Sequence, residues 1–120
     1  MREQLLSSSF DFSIRLVGLV EYLKNEGKEF PLSQQLLTCG NGIGVNLRLI
    51  PLADKKERNV RADQALICAV ESEYILELMK KTGYLTEQQS GSIRADCAYL
   101  IKGIADIRKE NNRSRAGDRV

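Results

Sequence analysis

The stretch Ala65–Gln89, ALICAVESEYILELMKKTGYLTEQQ, decides the fold. Ala65, Ala69, Ile75, Leu76, Leu78 and Met79 line one side of a helix, and Gly83 stands just past the last of them. A glycine there supplies the left-handed conformation that stops a helix at little steric cost. Thr86 then reads as the N-cap of a new helix, with Gln89 three residues on to complete a capping box. Two helices joined by so short a turn pack antiparallel. The stretch carries no evident chemistry of its own.

Working outward, the rest of the chain repeats the pattern. From about Ser9 to Asn25, Phe12, Leu16, Leu19, Val20 and Leu23 recur at helical spacing. Phe10, Ile14 and Val17 widen that face beyond a narrow seam, so this helix has two partners to satisfy: the bundle core and a neighbouring subunit. Pro31 suits the first position of a second helix, which carries Leu32, Leu36, Leu37, Ile43, Leu47 and Ile50 inward. Pro51 ends or kinks that helix near Ile50. Asp54, with Glu57 three residues on, is placed to cap the third helix. The fourth runs from about Glu87 to Lys109, with Ile93, Cys97, Leu100, Ile101, Ile104 and Ile107 on one face. Residues 1–8 read as a flexible N-terminal arm, 9–110 as the bundle domain, and 111–120 as a disordered basic tail.

The middle of the second helix, Cys39-Gly40-Asn41-Gly42-Ile43-Gly44, is unusual because each glycine costs about 0.8–1 kcal/mol against alanine in a helix interior. Gly40 and Gly44 lie one turn apart and present a bare strip of backbone. Close helix packing is the expected use, with Ala65 and Ala69 playing the same part on the third helix. A phosphate cradle needs a strand entering the loop and a following Lys-Ser/Thr, and neither is present.

Composition narrows the function. The 120 residues suit one domain; 42% are hydrophobic and 28% charged, ordinary for a globular chain. No apolar run is long enough for a membrane span, and MREQLLSSSFDF lacks the apolar core of a secretory signal. Three cysteines, an odd number, show no disulfide framework, so a reducing, cytoplasmic setting is expected. Histidine is absent. That removes the commonest general base and the commonest metal ligand. Cys39, Cys68 and Cys97 are evenly spaced, but a tetrahedral zinc site needs a fourth ligand that the first helix does not offer at that height. No metal and no cofactor are expected, and buried soft packing is the expected role of the thiols. Glu71, Glu73, Glu77 and Asp96 are the carboxylates considered for catalysis, and no enzyme is expected from them.

The formal net charge is +2, and the basic excess sits in the last thirteen residues, where Arg108, Lys109, Arg113, Arg115 and Arg119 face only Glu110 and Asp118. A second group, Arg48, Lys55, Lys56, Arg58 and Arg61, straddles the second connection. Arg48, Lys55, Lys56, Arg58, Arg61, Arg108 and Lys109 are the candidates for RNA or DNA contact.

Several motifs together carry a family resemblance. Ser9-Phe10-Asp11-Phe12 and Phe30-Pro31-Leu32-Ser33-x-Gln35-Leu36-Leu37 come first, then Gly40-x-x-Ile43-Gly44-x-Asn46. Ala65-Leu66-x-x-Ala69-x-Glu71-x-Glu73-Tyr74-x-Leu76 and Thr82-Gly83-Tyr84-Leu85-Thr86 complete the set. Over roughly residues 9–110 the chain resembles the bacterial four-helix bundle proteins, also called the 23S ribosomal RNA intervening-sequence proteins. The accessory protein of diversity-generating retroelements is a related branch. The resemblance implies an all-α, antiparallel up-and-down four-helix bundle that assembles as a homo-oligomeric ring, typically a pentamer, without enzymatic activity. It also implies possible partners: RNA or DNA, or instead a partner protein docked without nucleic acid. The chain departs from the pattern after Asn46, where Leu47-Arg48-Leu49-Ile50-Pro51 replaces an acidic, alanine-rich helix, and at Cys39-Gly40-Asn41-Gly42, which lacks the usual hydroxyls.

Overall fold

Gly27 and Gly83 adopt left-handed φ angles of +72° and +87°, and each ends a helix. At the second stop the Gly83 N–H donates to the Lys80 carbonyl (3.1 Å) and the Tyr84 N–H to the Met79 carbonyl (2.8 Å). Gly27 and Lys28 repeat the arrangement on the carbonyls of Lys24 and Leu23. These paired bonds satisfy the carbonyls that a helix end leaves open. Beyond Gly83 the expected capping box forms: the Gln89 N–H donates to Thr86 Oγ1 (3.1 Å), and the Thr86 N–H to Gln89 Oε1 (3.0 Å). Phe30 and Tyr84 meet edge-to-face across the two turns, ring centres 4.9 Å apart, so both turns lie at the same end.

The computed structural model describes the backbone of residues 2–118 and side chains through residue 112. Among these residues there are four helices and no strand: α1 Arg2–Asn25, α2 Ser33–Leu49, α3 Lys55–Lys81 and α4 Glu87–Asp118. Pro51 ends α2 rather than kinking it, in a short 3-10 turn over Ile50–Leu52. Asp54 caps α3, its Oδ1 accepting the Glu57 N–H at 2.9 Å. Each helix packs on the helices next to it in the chain, and α1 also on α4, while no Cα of α1 comes within 8 Å of one of α3 across the diagonal. Phe12, Leu16, Leu36, Ile43, Ile75, Leu76, Met79, Leu100 and Ile104 fill the centre. None of the described helices is long and apolar enough to cross a membrane.

Three expectations are corrected. Residues 2–8 are the first two turns of α1, not an arm, because Leu5 is buried where Gly103 opens room on α4. The backbone of residues 111–118 continues α4 instead of forming a disordered tail, an extension anchored by Ile104, Ile107 and Arg108 in the turns before it. Met1, Arg119 and Val120 lie outside the described residues. Pro31 precedes α2 in a turn that the Ser33 N–H closes on the Phe30 carbonyl (3.1 Å), and the helix opens two residues later.

The glycines of α2 explain how close the helices come. A Cβ at Gly40 would overlap Leu16 Cδ1, one at Gly42 would sit 2.7 Å from Cys68 Sγ, and one at Gly44 3.3 Å from Ser9 Oγ. Leu16 is fully buried and has nowhere to go. Gly40→Ala is therefore expected to destabilise the fold by about 1–3 kcal/mol in urea unfolding, despite the better helix former. Gly91 on α4 has open space around it, and Gly91→Ala should stabilise by about 0.4–1 kcal/mol. Equal responses at the two sites would refute the packing account.

Candidate nucleic-acid interface

The up-and-down topology brings the start of α1, the end of α2, the start of α3 and the end of α4 to one end of a body 58 Å long. Arg48, Lys55, Lys56, Arg58, Arg61, Arg108 and Lys109, scattered over 62 positions of sequence, all fall in this half of the bundle. Arg2 joins them at the start of α1. It escapes a sequence reading that treats residues 1–8 as a loose arm. The side chains of Arg113 and Arg115 lie outside the described residues.

Their surroundings separate them. Arg61 is a local tie: both its Nη2 (2.9 Å) and Nε (3.3 Å) donate to Glu57 Oε1, and Nη1 reaches Asn46 Oδ1 on α2 at 3.3 Å. Arg108 pairs with Asp63 of α3 and joins the ends of two helices. Arg58 Nε donates to the Ala53 carbonyl at 3.2 Å and holds the turn before α3. Arg48 lies over the Phe10 ring, 5.2 Å from its centre, a cation–π contact. Lys56 and Lys109 are exposed and pair with no carboxylate among the described residues. Lys55, beside Lys56 in the first turn of α3, is exposed and has an interaction of its own.

The other residues singled out in the sequence lie elsewhere. Gly40 and Gly44 face Leu16 and Ser9 of α1, and Ala65 and Ala69 are fully buried. Glu71 accepts from Gln35 Nε2 (3.3 Å), tying α3 to α2, while Asp96 pairs with Arg15 of α1 (2.6 Å). Such exposed pairs contribute little to stability. The aromatics divide unexpectedly: Phe12, Phe30 and Tyr84 pack, whereas Phe10, Tyr22, Tyr74 and Tyr99 are at least half exposed. Tyr99 lines a recess between α1 and α4 with Arg2 and Lys102.

The cysteines occupy one inner layer. Cys97 Sγ donates to the Ala69 carbonyl at 3.2 Å, and Cys39 Sγ to the Leu36 carbonyl at 3.4 Å. Ser72 Oγ donates to the Cys68 carbonyl (2.8 Å) and lies 3.2 Å from Cys39 Sγ. Burial pushes all three thiols up, and that of Cys97 to about 12. Burial thus favours the neutral thiol at all three positions.

No family model and no curated protein matches the chain. A solved structure does: a protein of unknown function from the S23 ribosomal protein family of Bacteroides thetaiotaomicron. It is 36% identical, with a TM-score of 0.86, over 91% of this chain and 99% of that one. The chain belongs to the S23 ribosomal protein family. Coverage this high at this identity means that the bundle as a whole is shared. The relative's own function is unknown, so it brings no ligand with it.

The raised Cys97 thiol makes a pH prediction. In the unfolded chain the group ionises near 9.0; in the fold it stays protonated to about 12. The stability it contributes is therefore full below pH 9 and is lost as pH rises from 9 towards 12. Urea midpoints should fall more steeply between pH 8 and pH 10.5 for the native sequence than for Cys97→Val. Identical slopes would show that the thiol ionises freely in the fold.

Proposed function

We propose that this S23-family chain is a non-enzymatic oligomeric scaffold of the ribosomal RNA intervening-sequence type, working in the cytoplasm and contacting RNA or DNA through the basic end of the bundle. The observation that carries the reading is the convergence of Arg2, Arg48, Lys55, Lys56, Arg58 and Lys109 on that end, with Lys56 and Lys109 exposed and unpaired by the described carboxylates. One protomer offers a modest patch. Phosphate binding grows with the number of charges neutralised, so repetition around a ring raises affinity without a new contact. The exposed Tyr99 beside Arg2 and Lys102 adds an aromatic face on which a base can stack. A pentamer is the assembly that the family resemblance favours. A protein-docking scaffold is the second reading, supported by the apolar side chains that α1 and α3 leave in solvent.

Fluorescence anisotropy with labelled single-stranded RNA and DNA across a salt series tests the first reading. Binding should weaken steeply with salt, and Lys56→Glu with Lys109→Glu should weaken it for every sequence and flatten the slope. Absence of binding even at about 50 mM salt, or a slope that the double variant leaves unchanged, would overturn it.

A further inference from the structure

The recess between α1 and α4 lies on the flank of the basic end. Its volume is about 290 Å³, close to the lower limit of about 300 Å³ for small-molecule sites. Its origin is local. A Cβ at Gly103 would come within 2.6 Å of Leu5 Cδ1, so the missing side chain lets Leu5 sink against α4. Leu5 and Ile107, each only 5% exposed, make an apolar floor. Around it stand Tyr99, Lys102, Asp106 and Glu110, successively three, four and four residues apart and so on one face of α4. Arg2 completes the rim from α1.

We infer that this recess takes one unstacked base of a single-stranded nucleic acid and prefers a base that carries an exocyclic amino group. The inference rests on the nucleic-acid reading above and names the form of the ligand. Three observations carry it. First, the aromatic ring and the cations are those of a single-strand site. Tyr99 is half exposed at the edge of an apolar floor. A platform of this kind stacks on a base only where the strand leaves that base uncovered, which a duplex interior does not. Arg2 pairs with no carboxylate among the described residues. Lys102 Nζ reaches Asp106 at 3.5 Å with 80% of the lysine side chain exposed, a weak tie. Both cations remain for the neighbouring phosphates.

Second, the rim is not uniformly basic. Asp106 and Glu110 line the recess with the two cations. Carboxylates repel phosphate, so the strand's backbone stays with Arg2 and Lys102, and what enters is a group that donates hydrogen bonds. The amino groups of cytosine, adenine and guanine do so. Uracil and thymine present an oxygen where cytosine presents its amino group, and a carboxylate rejects it.

Third, the other recesses that combine an aromatic ring with a cation have that cation engaged. Beside Tyr22, farther along the same seam, Arg15 is held by Asp96 and Ser92, both at 2.6 Å. Between α1 and α2, Arg48 already lies over Phe10. The recess at Tyr99 keeps its ring and its cations available together.

Competition against a labelled mixed-sequence single strand, read by anisotropy on the full chain at neutral pH and fixed low salt, tests the inference. A short cytidine RNA should compete at least about fivefold better than a uridine RNA of equal length. It should also outcompete a mixed-sequence duplex with the same number of phosphates. Tyr99→Ala should lower affinity for the cytidine strand about 5- to 150-fold and leave duplex affinity unchanged, whereas Tyr99→Phe keeps the ring and the binding. Asp106→Asn with Glu110→Gln should erase the preference for cytidine. Each of these side chains is at least partly exposed, so circular dichroism should not change. If the duplex competes as well as the cytidine strand, or Tyr99→Ala weakens both alike or neither, charge alone carries binding. The inference then fails while the nucleic-acid reading stands. Equal competition by cytidine and uridine would overturn it in the same way. A native chain that binds no oligonucleotide at low salt would overturn the nucleic-acid reading itself.

Discussion

The close approach of α2 to both of its neighbours is the constraint on which the rest of the structure depends. Gly40 and Gly44 lie on the side of α2 that meets Leu16 and Ser9 of α1, and Gly42 on the side that meets Cys68 of α3. Successive residues turn by about 100°, so Gly42 points roughly opposite to the other two. A pair of glycines one turn apart would serve one neighbour; the third serves the second. Each glycine costs about 1 kcal/mol of helix propensity, and the return is that Leu16 and its neighbours pack against backbone. The cysteine layer follows from the same narrowness. Cys39, Cys68 and Cys97, with Ser72, are small side chains that sit between α2, α3 and α4.

A thin, well-filled centre also leaves apolar residues over. The chain contains more large hydrophobes than four closely spaced helices can enclose, and the surplus is gathered on α1 and α3 instead of being spread evenly. The charged residues are ordered as well. Antiparallel connections return the ends of α2 and α4 to the starts of α1 and α3, so basic residues distant in sequence share one end. This chain thus carries two kinds of surface: apolar flanks on α1 and α3 and a basic end.

Much of this was legible in the sequence, and the misses have physical causes. The Gly83 stop, the Thr86–Gln89 box and the Asp54 cap are local devices, and each forms as the residue types require. Residues 2–8 offered no such device. Leu5 is buried because Gly103, almost a hundred residues away, makes room for it, and no periodicity within RE-Q-LL-SSS reports that. Residues 111–118 look unstructured because they lack apolar spacing, yet their backbone continues a helix anchored one turn earlier. At the candidate interface the basic residues could be named, but not their partners. Glu57 lies four residues from Arg61 and was within reach of a local reading, whereas the pairing of Asp63 with Arg108 depends on how α3 meets α4. The exposure of Phe10, Tyr22, Tyr74 and Tyr99 was likewise hidden, since composition does not say which aromatics the core has room for.

In the proposed function the protomer is one part of a closed homo-oligomeric ring. Native mass spectrometry of the unmodified chain over a wide range of concentration tests that most directly. One assembly at a single integer multiple of 13.5 kDa, with no larger series above it, is the expected result. A ladder of ever larger multiples would contradict closure, and a protomer alone at every concentration would contradict the account as a whole.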